Sequence, residues 1–156
     1  MGAATEMPVD FELTRSPSYR VAAIARTGPW KEGLLRAEFR ELTAWAKKQG
    51  VRTGRWIFRH PGDDRWEACL EFRGRATPTG RIRVKTLPST YVARCVFDPD
   101  AVADRVIYHG LSDWTRWRKR QREIRAVGGS REVYSGDPWS DAKAWAQCEV
   151  QFIVRK

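Results

Sequence analysis

Hydrophobic and polar positions alternate along most of the chain, and a helical period replaces the alternation in two stretches. Tyr19 to Ala25 reads as a strand, with Val21, Ala23 and Ala25 on one face. Thr27-Gly28-Pro29 breaks it. From Trp30 to Gln49 the apolar residues Leu35, Phe39, Leu42, Trp45 and Ala46 recur at helical spacing, and Gly50 is placed to end the helix. Arg55–Arg59 and Arg65–Phe72 flank Pro61-Gly62-Asp63-Asp64, whose turn chemistry predicts a hairpin. Gly74 to Gly80 is a loop, Arg81–Lys85 alternates as a half-exposed strand, Leu87-Pro88 interrupts, and Tyr91–Phe97 is a further strand. Asp98-Pro99-Asp100 predicts the start of a second helix reaching to about Arg125. Its apolar side is Val102, Val106, Leu111, Trp114 and Trp117, with a candidate kink at Gly110 and a stop at Gly128-Gly129. Arg131–Ser135 and Trp145–Val154 read as the last strands, and Asp10–Arg15 as an edge strand within a lead-in segment over residues 1–17.

The two halves repeat. Pro17-Ser18-Tyr19-Arg20-Val21-Ala22 matches Pro88-Ser89-Thr90-Tyr91-Val92-Ala93, and Leu42-x-x-Trp45 matches Leu111-x-x-Trp114. Arg55-Trp56-Ile57-Phe58 matches Arg131-Glu132-Val133-Tyr134, and each return strand carries a carboxylate, Glu67 and Glu149. The unit is strand-helix-strand-strand, used over about 18–73 and again over about 81–154, within one domain spanning 18–156. Such a duplication predicts an α+β fold: one antiparallel-rich sheet, both helices on one side, and a ligand cleft on the other. Alternation then assigns Ile57, Ala68, Leu70, Val133, Val150, Phe152 and Val154 to the helix side. It assigns Trp56, Phe58, Glu67, Glu132, Tyr134, Glu149 and Gln151 to the cleft side, and the repeat register adds Tyr91.

Composition narrows the function. The 156 residues, 42% hydrophobic and 31% charged, suit a folded domain rather than a disordered chain. No stretch has the ~20 apolar residues of a membrane helix, and Met1–Phe11 lacks the pattern of a signal peptide, so a cytoplasmic protein that meets no membrane is expected. Cys69, Cys95 and Cys148 are odd in number and far apart, which fits buried small hydrophobes rather than a disulfide framework. His60 and His109 have no metal-ligand spacing, and phosphate-loop and dinucleotide signatures are absent, so neither metal nor cofactor is expected. Two features stand out: a net charge of +10 and eight tryptophans. The first points to nucleic acid or another acidic partner, the second to a flat apolar ligand held between rigid rings. Arg116–Arg125 is a basic run interleaved with Trp114 and Trp117, readable as a solvated helix face or as a nucleic-acid contact.

Several short motifs in order resemble the GyrI-like family of effector-binding domains and their stand-alone relatives. They are Val21-Ala22-x-Ile24-x-x-x-Gly28-Pro29-Trp30, Lys85-Thr86-Leu87-Pro88-x-x-Tyr91, Glu132-Val133-Tyr134 and Glu149 in the last strand. The second half has Phe97-Asp98-Pro99 where the family repeats its Gly-Pro turn, and Gln151-Phe152-Ile153 lacks the family's proline. The resemblance implies that a bulky aromatic or cationic compound is bound between the two halves. Glu132 matches the family's central glutamate, and Tyr91 and Tyr134 its recurring aromatic positions. With too little chain ahead of the domain for a DNA-reading module, a stand-alone protein for drug or toxin sequestration is expected.

The expected ligand site is Glu132, Tyr91, Tyr134 and Glu149, with Trp56, Phe58, Glu67 and Trp66 around them. Trp30 and Trp139, each beside a proline, are candidates for the cleft mouth. Two alternatives stay open. One is a metal-free hydrolase that opens strained-ring DNA-alkylating compounds, with Glu132 and Glu149 as its catalytic carboxylates. The other is a modulator of gyrase or DNA acting through the basic helix.

Overall fold

A computed structural model describes residues 10–156. The strands are β1 (Glu12–Arg15), β2 (Tyr19–Thr27), β3 (Arg52–Gly62), β4 (Arg65–Arg73), β5 (Arg83–Leu87), β6 (Tyr91–Phe97), β7 (Ala126–Tyr134) and β8 (Cys148–Arg155). The helices are α1 (Glu32–Gln49), α2 (Asp104–Arg120) and the short α3 (Ala142–Ala146). All eight strands join one antiparallel sheet in the order β1-β6-β8-β7-β3-β4-β2-β5. The expected lead-in over 1–17 lies partly outside the described residues; within it, β1 pairs with β6.

The repeat is visible as β2-α1-β3-β4 and β6-α2-β7-β8, joined at the antiparallel β3/β7 seam. There Trp56 faces Tyr134, Ile57 faces Val133, and Phe58 faces Glu132. The α1 period buries Leu35, Phe39, Leu42, Trp45 and Ala46 against Ala22, Ile24, Ala68 and Leu70. Gly50 ends the helix in a left-handed conformation, φ 67°, as its position in the sequence suggests. Helix α2 buries Ile107 and Leu111 against Ala93, Cys95 and Val150. Each such buried aliphatic side chain contributes about 1.5–3 kcal/mol to holding its helix on the sheet.

The opposite face is also buried in its middle: Tyr19, Val21, Ala23, Ile57, Cys69, Leu87 and Val133 form a second apolar cluster there. Topology explains how. Strands β1 and β2, far apart in the sheet, are joined by residues 16–18 alone, and β5 reaches β6 through residues 88–90. Two three-residue links can span those separations only if the sheet curls and its margins approach. The links bond to each other: Ser16 N–H donates to Thr90 O (2.7 Å), Ser89 Oγ to Ser16 O (2.6 Å), and Thr90 N–H to Ser16 Oγ (3.2 Å).

This second buried face corrects the assignment of sides. Ile57 and Val133 are core residues of the curled face, not of the helix face. Their neighbours Trp56, Phe58, Glu132 and Tyr134 therefore lie under the helices, together with Ala68, Leu70, Val150 and Val154. The second helical segment also begins later and ends earlier than expected. Asp98 accepts from Asp100 N–H (2.9 Å) in a turn that precedes α2, and α2 runs unbroken through Gly110. Gly128 and Gly129 lie inside β7, and Trp145 belongs to α3 rather than to the last strand.

Candidate functional site

Because the rings of β3 and β7 lie under the helices, the cleft forms on the helix side, between α1 and α2, and not on the face away from them. It encloses about 500 Å³, within the range of small-molecule sites. Its floor is the β3/β7 seam: Trp56 and Phe58 from one strand, Glu132 and Tyr134 from the other. Phe39 of α1 stacks on Trp56 (centroids 4.6 Å apart), and Trp139 meets Trp56 edge-on at 6.1 Å. At one end Phe58, Trp66 and His60 form a ladder, with spacings of 5.1 and 4.0 Å. At the other end Tyr134 lies parallel to Trp145 at 6.5 Å. Trp30 caps the Phe58 end, 6.1 Å from that ring.

Two tryptophan N–H groups pin the walls. Trp139 Nε1 donates to Glu32 of α1 (3.2 Å), and Trp145 Nε1 donates to Asp100 ahead of α2 (3.0 Å). Trp66 Nε1 donates to Gly28 O (2.8 Å), which ties the ladder to the turn after β2. The apolar floor is thus set by strand alternation, and its walls are held by polar contacts at the rim.

Glu132 is the chemical centre. Its Oε1 accepts from Tyr108 Oη (2.8 Å) and its Oε2 from Tyr134 Oη (3.1 Å). Burial pushes the Glu132 carboxyl up from its ordinary range, the two phenol donors partly pull it back, and Asp104 nearby adds to the rise. Burial and the Glu132 charge push both phenols far up, so each stays a donor. No lysine or arginine pairs with Glu132 among the described residues. Asp104 and Glu32 also line the cavity. Among the described residues Arg131 is the one Lys or Arg that lines it, and that guanidinium points away, donating to Gln151 (2.6 Å) and Ser16 (3.1 Å) on the curled face. A protein of net charge +10 therefore carries an acidic, aromatic cavity.

The structure brings Glu132, Tyr134, Trp56, Phe58 and Trp66 to this cavity, with Trp30 and Trp139 at its edges. It does not bring the other three expected residues. Glu149 faces Val133 in the register, so it points to the curled face, where it pairs with Arg94 (2.9 Å) and accepts from Gln151 (2.6 Å). Glu67 lies on that same face, bound by Arg59 and Lys85. Tyr91 is on the helix face but at the far end of β6 from Phe97, about 20 Å along the strand. Arg15 and Lys156 cover its ring. Tyr108, Asp104 and Trp145 are cavity residues the sequence reading did not single out. The one available signal was the i, i+4 spacing of Asp104 and Tyr108 on a helix face.

Burial alone would push the Glu67 carboxyl up, but bonds and charge from Lys85 and Arg59 outweigh it and hold it below the ordinary range. A lowered pKa contributes stability above the unfolded value, about 4.3, which is lost as pH falls through the folded value. Glu67→Gln is therefore expected to lower the unfolding free energy at pH 7 and to shrink that difference toward pH 3. Urea titrations at several pH values measure it.

No family model matches the chain, and no curated protein matches it in sequence. Solved structures do. The chain is similar to the C-terminal domain of EcmrR, with a TM-score of 0.75 at 16% identity over 96% of this chain and 99% of that one. In the EcmrR–DNA complex the match covers 58% of the longer EcmrR chain. A hydrolase from Listeria innocua is similar at TM-score 0.56 and 11% identity, over 92% of this chain and 91% of that one. SAV2435 bound to tetraphenylphosphonium is similar at 0.55 and 12%, over 94% of each chain. At these identities the likeness establishes the fold: the chain has a GyrI-like fold. No helix among the described residues is long and apolar enough to cross a membrane.

Proposed function

We propose that this protein binds bulky lipophilic cations with aromatic groups in the cavity between α1 and α2, and that it serves to sequester toxic compounds of that class. One observation carries the reading. Glu132 is a half-buried carboxylate without a cationic partner among the described residues, set in a cavity whose walls are mostly aromatic rings. A ligand cation would supply the missing charge, while indole and phenol faces attract it and cover its apolar groups. SAV2435, which shares the fold, is bound to a compound of this kind, tetraphenylphosphonium.

The test is tryptophan fluorescence, since Trp30, Trp56, Trp66, Trp139 and Trp145 all line the cavity. Tetraphenylphosphonium should quench it saturably, and neutral triphenylphosphine oxide should bind at least about 10-fold more weakly, the loss of a partly desolvated ion contact. Equal affinity for the two compounds would refute a charge-selective site.

Turnover is a second reading, supported by the raised Glu132 carboxyl and by the hydrolase among the structures of like fold. A protonated Glu132 can give its proton to the leaving atom as the strained ring bond breaks, while water adds its oxygen to the carbon released and passes a proton to a second carboxylate. Glu149 cannot share that work from the curled face, which leaves Asp104 as the nearby second carboxylate. Mass spectrometry after incubation with cyclopropane-type alkylators separates the readings. Unchanged compound supports sequestration; a product heavier by one water, lost in Glu132→Gln, supports a hydrolase.

A further inference from the structure

The excess positive charge lies away from the cavity. Between Trp114 and Arg125 the chain has six basic residues and one acidic residue, Glu123. Arg118 uses Glu123, and Arg116 sits 3.6 Å from Asp113. Lys119, Arg120 and Arg122 have no acidic partner among the described residues. The patch continues onto the neighbouring chain end, where Arg125 N–H donates to Arg155 O (2.7 Å) and Arg125 Nε to Lys156 O (2.9 Å). The partial negative charge of a helix C-terminus accounts for cations in the last turn of α2. It does not account for Arg122 and Arg125 beyond the helix, nor for Arg155 in β8.

Trp117 sits within this patch and is 48% exposed. It is held in place. The Arg118 guanidinium lies 4.6 Å from the Trp114 ring and 5.0 Å from the Trp117 ring, and its buried Nε has no hydrogen-bond partner among the described residues. One indole face is thus presented to solvent by a fixed guanidinium, at little entropy cost to whatever stacks on it.

We propose that the end of α2 and the adjoining end of β8 bind single-stranded nucleic acid, with Trp117 stacking on a base while Lys119, Arg120, Arg122 and Arg125 take phosphates. Charge complementarity selects a polyanion, and an arginine-rich patch suits phosphate because the guanidinium fork matches its oxygens. The exposed indole selects unpaired bases, whose faces a duplex hides. This surface is separate from the cavity and does not depend on what the cavity binds.

Fluorescence anisotropy with a labelled oligothymidylate of about 15 nucleotides tests it. Binding should weaken with salt, with a log–log slope of about −3 for four phosphate contacts. Trp117→Ala should weaken binding about 5- to 100-fold, the range for losing one stacked base. Lys119→Glu with Arg120→Glu should abolish it at about 100 mM salt. All these side chains are exposed, so thermal midpoints should stay near that of the parent protein. No binding at about 50 mM salt would overturn the proposal, as would a Trp117→Ala variant of unchanged affinity. So would duplex bound as tightly as single strand, or binding to phosphatidylserine vesicles with the oligonucleotide ignored.

Discussion

Replacing Glu132 with glutamine should cost the protein its affinity for tetraphenylphosphonium while making the empty protein more stable. Both effects come from one charge in one place. The carboxylate is half-buried between Tyr108 and Tyr134 and has no cationic partner among the described residues, so the unliganded protein carries part of its desolvation cost. Glutamine keeps the shape and can still accept from one phenol, but it removes the charge. Neutralising one side of a desolvated ion pair weakens binding by about 2–4 kcal/mol, roughly 30- to 1,000-fold. The folded-state pKa is raised, so the folded protein holds its proton to higher pH than the unfolded chain does. Stability therefore declines as pH rises from the unfolded value, about 4.3, through the folded one. Above that window the substitution should raise the melting temperature by about 2–4 °C, the equivalent of roughly 1 kcal/mol in a domain of this size. Below it the two proteins should converge. A cation in the cavity favours the ionised carboxylate, so binding to the parent protein should release a proton and tighten with pH across the same window. Calorimetry in buffers of different ionisation enthalpy measures that release. A Glu132→Gln protein that binds the cation as well as the parent would place the recognition elsewhere, Asp104 being the next carboxylate on the wall.

Much of this site was legible in strand alternation. Trp56 and Phe58 share a face, as Glu132 and Tyr134 do, because residues two apart in a strand must, and the matched segments of the repeat give the two pairs the same phase; that β3 lies beside β7 comes from the structure. What alternation could not supply was which face that is. A strand buried on one side shows its phase by contrast with a polar side. Here Ile57 and Val133 are as buried as the residues between them, because two short links curl the sheet around them. With the contrast gone, the sequence places Glu67 and Glu149 on the ring-bearing face, although each sits one residue out of phase with it. Glu67 faces Arg59, and Glu149 faces Val133. Arg59 binds Glu67 across the hairpin, Lys85 joins it from β5, and Arg94 reaches Glu149 from β6, 55 residues away in sequence, a pairing no local pattern announces. Tyr108 was hidden for a different reason. A tyrosine beside Ile107 on an amphipathic helix looks like the margin of a core stripe, and its role appears only once the β7 carboxylate opposite is known.

Gly129 shows the same limit and carries the second large prediction. Next to Gly128 and after a helical period, it reads as a helix stop. In the structure it lies inside β7, where the register with β8 shifts between Val127 and Ser130 and β7 presses against the end of β3. A Cβ built on Gly129 would stand 2.5 Å from His60 O, 2.8 Å from Pro61 Cα and 2.9 Å from Pro61 O. All three are backbone atoms, so the clash cannot be relieved by a side-chain rotation and one strand must move. Gly129→Ala should cost about 2–4 kcal/mol and lower the melting temperature by roughly 5–15 °C. Gly128→Ala is the matched control: its Cβ would meet Ile153 O at 3.7 Å and Ile153 Cβ at 3.9 Å, ordinary contacts, and its effect should stay within about 1 kcal/mol. The damage should reach the cavity as well. His60 stacks on Trp66 at one end of it, and Ser130, next to Gly129, lines its wall. Shifting β7 away from β3 would also spread Phe58 from Glu132, its partner across the seam. Cation affinity should therefore fall in Gly129→Ala even at temperatures where the protein is fully folded, and stay unchanged in Gly128→Ala. Equal melting curves for the two variants would mean that β3 and β7 can separate at that point at little cost, and that the seam does not hold the site in shape.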